Sequence, residues 1–323
     1  MTQHPAITTV VERIRTDVIG GAADTAKEVV RALATLVGDS SASDSAALAA
    51  EVEQAAQDIL RVTPSLAPPI NALHRLLGRL EAGLAAQAPV AALRAEVLAA
   101  ADEFLAFAET ALGRIADYGA AKVQNGDTVF MYSMSSTVWR ILRRAWEQGK
   151  RFRVVVTESR PANEGLWTVT EMAKLGIPVA VSIDACIGEL VPQADVVFVG
   201  ADAVSSHGYS LCKVGTYPTA LVAKAHGVPF YIAADTLKFD ASTLLGLPFR
   251  VDPIHRHEVL SEQYPPEAQV IGRIFDETPP ELVTAIITER GLLNPAACIT
   301  VMWQSQLSER LNAWLPAWAS GAL

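Results

Sequence analysis

The first part of the chain repeats apolar residues at every third or fourth position. Alanine-rich stretches of this kind run from residue 5 to about residue 123, with few β-branched runs. Such spacing places apolar side chains on one face of an α-helix. Two segments rich in Ser, Asp and Pro, GDSSASDS and TPSLAPP, interrupt the pattern, as residues that start and stop helices do. The pattern predicts a helical N-terminal domain over residues 1–123, with about four or five helices.

From residue 124 onward, short β-branched runs alternate with segments of helical spacing. The runs are TVFMYS, RVVVTES, PVAVSID, DVVFVG and PFYIAAD. Strands that alternate with helices form βαβ units around a parallel sheet covered on both faces. Three helical segments end at Gly149, Gly176 and Gly227, as expected of C-terminal helix caps. Residues 124–323 are therefore predicted to form a Rossmann-like domain, which makes the fold class α/β.

Composition narrows the possible functions. Half of the 323 residues are apolar and 19% are charged, which is enough to build a buried core. The net charge of −9 argues against a nucleic-acid partner, because such proteins need a basic face. The three cysteines form no CxxC pair, and the histidines lack carboxylate or thiol partners at ligand spacing. The sequence also lacks a GxGxxG or P-loop string. We therefore expect no metal and no cofactor.

The N-terminal segment and the hydropathy pattern indicate where in the cell the protein is expected. Residues 1–20 show no basic segment followed by an apolar one, so we expect no secretory signal. No uninterrupted apolar run reaches the roughly 18 residues of a membrane span. We expect a cytoplasmic protein with no membrane partner.

Polar residues follow each predicted strand, at the edge where open parallel sheets bind ligands. After the first strand, Ser135, Ser136 or Thr137 either caps a helix or helps to bind an anion. After the second, Glu158 and Arg160 either pair with each other or face a ligand. Asp184, after the third strand, is expected to cap the helix that follows it.

Asp202 and Lys213 lie in the segment GADAVSSHGYSLCKVGTY. Asp202 directly follows a buried strand, where a carboxylate costs free energy unless it has a partner, and this favours a functional role. Lys213 precedes Gly215 and Thr216 at the start of a predicted helix. A cation is poorly placed at that end of the helix dipole unless an anion joins it.

These segments resemble the family that contains the α, β and δ subunits of translation initiation factor 2B, methylthioribose-1-phosphate isomerase and ribose-1,5-bisphosphate isomerase. The resemblance spans most of the chain and is carried by VTESRP, GADAVSSHGYSLCKVGT, VPFYIAADTLKF and FDETPPELVTAIITERG. It implies conversion of a sugar 1-phosphate from aldose to ketose, with a Cys and the Asp of GAD flanking C1 and C2. Asp202 matches that acid. Ser133 stands at the Cys position, and a serine hydroxyl without a partner base is a far weaker acid or base than a thiol.

The chain departs from the family pattern at the positions to which the resemblance assigns phosphate binding. Gly20 and Leu66 replace two arginines, Glu164 replaces the Gln of an RPxxQG motif, and Cys212 replaces an Asn. Lys213 alone remains of that phosphate clamp. The candidate substrate-binding residues are Arg160, Glu164, Lys213, Gly215, Thr216, Lys238, Ser135 and Ser136.

Two hypotheses follow for the function. In the first, the protein is an aldose–ketose isomerase, an intramolecular oxidoreductase that acts on a small sugar derivative or sugar phosphate. Asp202 is then its acid/base, and Ser133, or else Cys186 or Cys212, takes the place of the missing thiol. In the second, it is a non-catalytic ligand-binding or regulatory member like the subunits of initiation factor 2B. The resemblance also implies a homodimer or higher homo-oligomer.

The C-terminal segment carries Trp303, Trp314 and Trp318. These residues pack either within the domain or across a partner.

Overall fold

The computed structural model describes residues 4–16, 21–63, 66–304 and 307–322, so Gly20 lies outside the described residues. The chain forms two compact units. The first takes the described residues of 1–110, 237–250 and 299–323, and the second takes 111–236 and 251–298. The boundary between residues 123 and 124 stays a prediction.

Five helices cover the described residues of the N-terminal region. Asp44 precedes the third of them, and its carboxylate accepts a hydrogen bond of 2.8 Å from the backbone N–H of Ala47. The helices therefore break where the Ser- and Asp-rich segment predicts. Their bounds are α1 (Pro5–Arg15), α2 (Ala22–Asp39), α3 (Ser45–Val62), α4 (Ala67–Ala85) and α5 (Val90–Ala120).

The helical unit has one apolar core, to which segments from later in the chain contribute. Among the described residues, the last two helices are α11 (Cys298–Trp303) and α12 (Glu309–Ala319). Trp318 is 1% exposed, and its indole N–H donates to the carbonyl of Thr63 at 3.0 Å. Trp314 packs partly buried against the same core, whereas Trp303 is 71% exposed. The segment 237–250 is bound by Asn71, whose Nδ2 donates to the carbonyls of Leu237 and Phe239 at 2.6 and 2.7 Å.

The second unit contains a seven-stranded sheet in the order β10-β9-β7-β4-β1-β2-β3, in which only β9 and β10 pair antiparallel. The five strands predicted from the sequence are β1, β2, β3, β4 and β7, so the predicted α/β fold is confirmed. The bounds are β1 (Thr128–Met131), β2 (Arg153–Thr157), β3 (Val179–Ser182), β4 (Val196–Gly200), β7 (Phe230–Ala233), β9 (Ala285–Thr288) and β10 (Gly291–Leu293).

Helices connect these strands, and three of the helices end at the predicted glycines. Gly149, Gly176 and Gly227 have φ values of 85°, 73° and 70° just after their helices, the left-handed conformation typical of C-terminal caps. The bounds are α6 (Ser136–Glu147), α7 (Glu164–Lys174), α8 (Ile187–Leu190), α9 (Thr216–His226) and α10 (Arg256–Val259).

A second, three-stranded antiparallel sheet, which the sequence pattern did not predict, lies in the same unit. Its strands are β5 (Ala203–Val204), β6 (Ser210–Lys213) and β8 (Phe275–Thr278), in the order β5-β6-β8. The register places Lys213 opposite Phe275, and the Lys213 ammonium lies 5.1 Å from the centre of that ring.

Among the helices of the described residues, none is both long and apolar enough to cross a bilayer.

Candidate functional site

Ser133 follows β1 in an unusual backbone conformation. Its φ is 63°, in the left-handed region, which costs a residue with a side chain about 1–2 kcal/mol. The backbone N–H of Ser133 donates to Ser159 Oγ at 2.9 Å, and its carbonyl accepts from Thr168 Oγ1 at 3.1 Å. Ser133 is also buried, and these bonds hold its backbone in this conformation.

Glu164 joins the hydroxyl of Ser133 to the ammonium of Lys213. Ser133 Oγ donates a short hydrogen bond to Glu164 Oε2. Lys213 Nζ lies 2.9 Å from Glu164 Oε1, and the two side chains are 11% and 22% exposed. Ser133 was expected to lack a partner base, and the Glu164 carboxylate is a group that can act as one.

The adjacency of two strands explains this meeting. β1 and β2 pair in parallel with Met131 opposite Val156, so the segments that follow them start from the same edge of the sheet. Helix α7, which begins at Glu164, approaches β2 closely. A Cβ on Gly165 would lie 1.7 Å from the carbonyl oxygen of Thr157, so this approach requires glycine. The prediction of neighbouring parallel strands was the sequence signal that could have suggested the pair.

Ser135 caps α6, which was one of its two predicted roles. Its Oγ accepts from the backbone N–H of Val138 at 3.3 Å. A Cβ on Gly200, at the end of β4, would lie 2.5 Å from Ser135 Oγ, so β4 ends against this turn. Ser136 is exposed. A ligand-binding role for Ser135 and Ser136 stays a prediction.

Asp202 lies between β4 and β5 and is half-buried. Its backbone N–H donates to the carbonyl of Leu211 at 2.9 Å. Because Leu211 and Lys213 belong to the same strand, β6, the small sheet brings the Asp202 and Lys213 segments side by side. The acid/base role of Asp202 stays a prediction.

The turn between β6 and α9 is anchored from two sides. Tyr132 Oη donates to the carbonyl of Val214 at 2.8 Å. A Cβ on Gly215, whose φ is 104°, would lie 2.0 Å from that phenol oxygen. Thr216 is buried, and its hydroxyl donates to the carbonyl of Lys213 at 2.6 Å. Gly215 and Thr216 therefore define the backbone around Lys213, and their contact with a ligand stays a prediction.

The carboxylate of a side chain of this protein lies at the start of α9. From the sequence, Lys213 was expected to be poorly placed there unless an anion joins it. Asp276 accepts hydrogen bonds from the backbone N–H groups of Gly215 at 2.7 Å and Tyr217 at 3.1 Å. Burial raises the pKa of Asp276 to about 6, although these backbone bonds act in the opposite direction. Burial, followed by the charges of nearby carboxylates including Asp184 and Asp276, also raises the pKa of Tyr132. Neither Asp276 nor Tyr132 was among the residues predicted from the sequence.

Asp184 holds the loop between β2 and α7. Its two carboxylate oxygens accept from the backbone N–H groups of Ser159 and Arg160, both at 2.8 Å. Its side chain makes no capping hydrogen bond to the helical turn that begins at Asp184, so the predicted capping role is wrong. The Arg160 guanidinium is exposed and donates to the carbonyl of Glu258 at 3.0 Å.

The other residues considered from the sequence differ in how deeply they are buried. Cys212 is fully buried and Cys186 is half-buried. Lys238 is 8% exposed and belongs to the segment 237–250 of the helical unit. Leu66 directly precedes α4 and is half-buried. Across the parts of the chain that the structure describes, no three His, Cys, Asp or Glu side chains gather as a metal site.

Comparisons with known proteins agree with the resemblance found in the motifs. The model of the Initiation factor 2 subunit family matches residues 18–295. Ribose 1,5-bisphosphate isomerase of Thermococcus kodakarensis is 34% identical over 91% of this chain and 92% of its own length. A putative translation initiation factor eIF-2B subunit 2-like protein of Pyrococcus furiosus is 32% identical over 88% of this chain and 95% of its own length.

Solved structures show the same fold. The eIF-2B structure from Pyrococcus horikoshii superposes with a TM-score of 0.76 at 30% identity, covering 92% of this chain and 99% of that one. The 5-methylthioribose 1-phosphate isomerase of the same organism has a TM-score of 0.74 at 22% identity, covering 92% of this chain and 87% of its own, and shows the fold alone. The matched length and the identity to full-length relatives establish that this chain belongs to the Initiation factor 2 subunit family.

Proposed function

We propose that this protein is an aldose–ketose isomerase that acts on a sugar phosphate or a related small sugar derivative. The observation that carries the proposal is the alignment of 91% of the chain with relatives named ribose 1,5-bisphosphate isomerase, at 34% and 33% identity. The polar chain of Ser133, Glu164 and Lys213 supports it, because it offers proton-transfer groups at the strand ends where such sheets bind ligands.

The reaction needs two kinds of group and no external hydride carrier. The substrate's C1 is reduced while its C2 is oxidised, so the electrons stay within the sugar. One group must move hydrogen between the two carbons, and another must handle the protons of the two oxygens. We assign Asp202 to the carbons and Ser133 to the oxygens. Both act best where water is excluded.

The arrangement at Lys213 bears on where a substrate phosphate binds. The Lys213 ammonium is already paired with Glu164, and a phosphate placed there would meet the Glu164 carboxylate. Charge-assisted hydrogen bonds are worth about 1.5–3 kcal/mol each, so their loss matters for binding. We propose that the substrate directs a hydroxyl group toward Glu164 and that any phosphate lies elsewhere.

A regulatory, non-catalytic role is the second candidate. The eIF-2B-like relatives support it, since they align at 32% identity over 88% of the chain. The two candidates differ in one measurement, which is incubation of the purified protein with ribose 1,5-bisphosphate and other aldose 1-phosphates, with ketose formation followed by NMR. Turnover supports the isomerase. Binding seen as a thermal shift, without turnover, supports the regulatory role.

We further propose a cytoplasmic homodimer or higher homo-oligomer. Three apolar side chains at or near the edge strand β3 support an interface, since Trp167, Val181 and Ile183 are 63%, 49% and 54% exposed. One protein of similar fold, at 22% identity, is the tetrameric eIF2B-beta2-delta2 complex from C. thermophilum. Light scattering after size-exclusion chromatography measures the state directly, and a monomer at micromolar concentration would contradict this proposal.

A further inference from the structure

We propose that Glu164 is a positioning residue that makes Ser133 a proton relay, because its carboxylate accepts the proton that a serine hydroxyl by itself does not readily release. This inference rests on the proposed function, because it names the group that moves protons in the same site. It is carried by the contacts of the Glu164 carboxylate with one hydroxyl and one ammonium group.

The direction of the hydrogen bond sets what Ser133 can do. Ser133 Oγ is the donor of this bond and Glu164 Oε2 is the acceptor, so the hydroxyl proton of Ser133 points to Glu164 Oε2. The remaining lone pairs of Ser133 Oγ face away from Glu164. Ser133 thus presents an acceptor to a ligand, and the group that it recognises is a donor such as a sugar hydroxyl.

Hydrogen bonds also hold the backbone of Ser133 in one conformation. Its N–H and carbonyl groups are both bound, to Ser159 Oγ and Thr168 Oγ1, and its φ of 63° is a conformation that a serine adopts only under constraint. Strained conformations of this kind concentrate at functional sites. The constraint therefore supports a role for the hydroxyl beyond packing.

The ammonium group of Lys213 stabilises the mostly buried carboxylate of Glu164. Its ammonium lies 2.9 Å from Glu164 Oε1 and 5.1 Å from the centre of the Phe275 ring. A buried carboxylate without a partner would be strongly unfavourable. The ion pair leaves Glu164 Oε2 available for the proton of Ser133.

The proton balance of the relay is closed. A substrate hydroxyl passes its proton to Ser133 Oγ while the hydroxyl proton of Ser133 moves to Glu164 Oε2. The reverse transfer delivers one proton to the ring oxygen that is released when the sugar opens, which restores the carboxylate and the serine. The site ends each turnover as it began, and no oxidant or reductant is consumed.

The first test is Glu164→Gln, which retains the size of the side chain but removes its charge. We expect kcat for the aldose phosphate to fall about 100-fold, within the range of general acid–base effects, while KM changes less than about threefold. The matched control is Glu171→Gln on the same helix, because Glu171 forms an ion pair with the exposed Lys174, and we expect this variant to leave kcat unchanged. Unchanged kcat in Glu164→Gln would overturn the relay.

The second test replaces the Ser133 hydroxyl with a more acidic thiol and asks whether catalysis then still needs Glu164. A thiol loses its proton far more readily than an alcohol. In a Ser133→Cys background we therefore expect Glu164→Gln to cost less than about tenfold in kcat. An equal loss in the Ser133 and Ser133→Cys backgrounds would show that Glu164 is only structural, and would overturn the inference.

Two further measurements separate the possible failures. Glu164→Asp keeps the charge but shortens the reach to Ser133, so it carries the test if Glu164→Gln does not fold, and we expect the same loss of kcat. A wild-type protein that turns over no aldose phosphate would remove the proposed function together with the relay. An active wild type with unaffected Glu164 variants would overturn the relay alone.

Discussion

The carboxylate of Asp276 lies 2.7 Å from the backbone nitrogen of Gly215, where helix α9 begins. A negative charge is favourable at this end of a helix, because the free N–H groups there carry positive partial charge. Asp276 is on β8, and Lys213 is on the neighbouring strand β6. The bond therefore ties the small sheet to α9 just beyond the lysine that pairs with Glu164.

The first prediction concerns the pH dependence that Asp276 confers. The pKa of Asp276 rises from its ordinary value of 3.8 to about 6 through burial, so the folded protein binds this proton more tightly than the unfolded chain. The corresponding stability is fully present below pH 3.8 and is lost as the pH rises through 6. We expect Asp276→Asn to reduce this fall in urea-unfolding free energy between pH 4 and 6. The same slope in both proteins would contradict the prediction.

His74 is predicted to act in the opposite sense. It is 2% exposed, its Nδ1 accepts from the backbone N–H of Ser308 at 3.2 Å, and burial lowers its pKa from 6.5 to about 4. The folded protein therefore favours the neutral ring, and the stability this confers is lost as the pH falls from 6.5 through 4. We expect His74→Gln to reduce that loss in urea unfolding, whereas a variant of the exposed His226, His226→Gln, retains it. If His74→Gln retains the full loss, His74 does not control this transition.

Asp202→Asn should remove turnover and spare the fold. If the carboxylate moves hydrogen between substrate carbons, its amide cannot, and kcat should drop by a factor of about 10³ or more. Asp202 is half-buried and asparagine keeps the size of its side chain, so we expect the free energy of unfolding to change by no more than about 1 kcal/mol. Normal turnover in Asp202→Asn would remove this residue from the mechanism.

Replacing Ser133 should separate stability from activity. Glycine adopts positive φ without steric cost, whereas alanine does not, so Ser133→Gly should be more stable than Ser133→Ala by about 1 kcal/mol. Both variants lack the hydroxyl and should lose most of their activity. Urea unfolding and kcat measured on the same preparations test this. Full activity in either variant would show that the hydroxyl takes no part in the reaction.

Gly165→Ala should displace the start of α7 and with it Glu164. The added Cβ would lie 1.7 Å from the carbonyl oxygen of Thr157, an atom of the backbone that cannot turn aside. We expect a loss of about 2 kcal/mol or more in stability, together with lower kcat. Gly188→Ala in α8 is the matched control, because its added Cβ meets open space and alanine favours a helix. Equal stability of the two variants would rule out the close approach.

Local spacing was enough to predict much of the fold. Three-to-four spacing of apolar residues predicts the helical region, and β-branched runs predict five strands, because each pattern reports which side of a segment faces the core. The other strands of the described residues escaped prediction. β5 has two residues and β10 has three, too few to show a period. β6, β8 and β9 have four residues each, as do β1, β3 and β7, and were not predicted either. Trp303 and Trp318 occur in one C-terminal segment, yet one is 71% exposed and the other 1%.

The family, the alternation of strands and helices, and the candidate residues at the strand ends could be predicted from local patterns and motifs. How those residues combine depends on the folded chain. Ser133 and Glu164 are 31 positions apart, and Lys213 is further along the chain. They meet because β1 lies beside β2 and because Gly165 lets α7 approach the sheet closely. Contacts of this kind depend on how packed elements lie against one another, and that arrangement is a property of the folded chain as a whole.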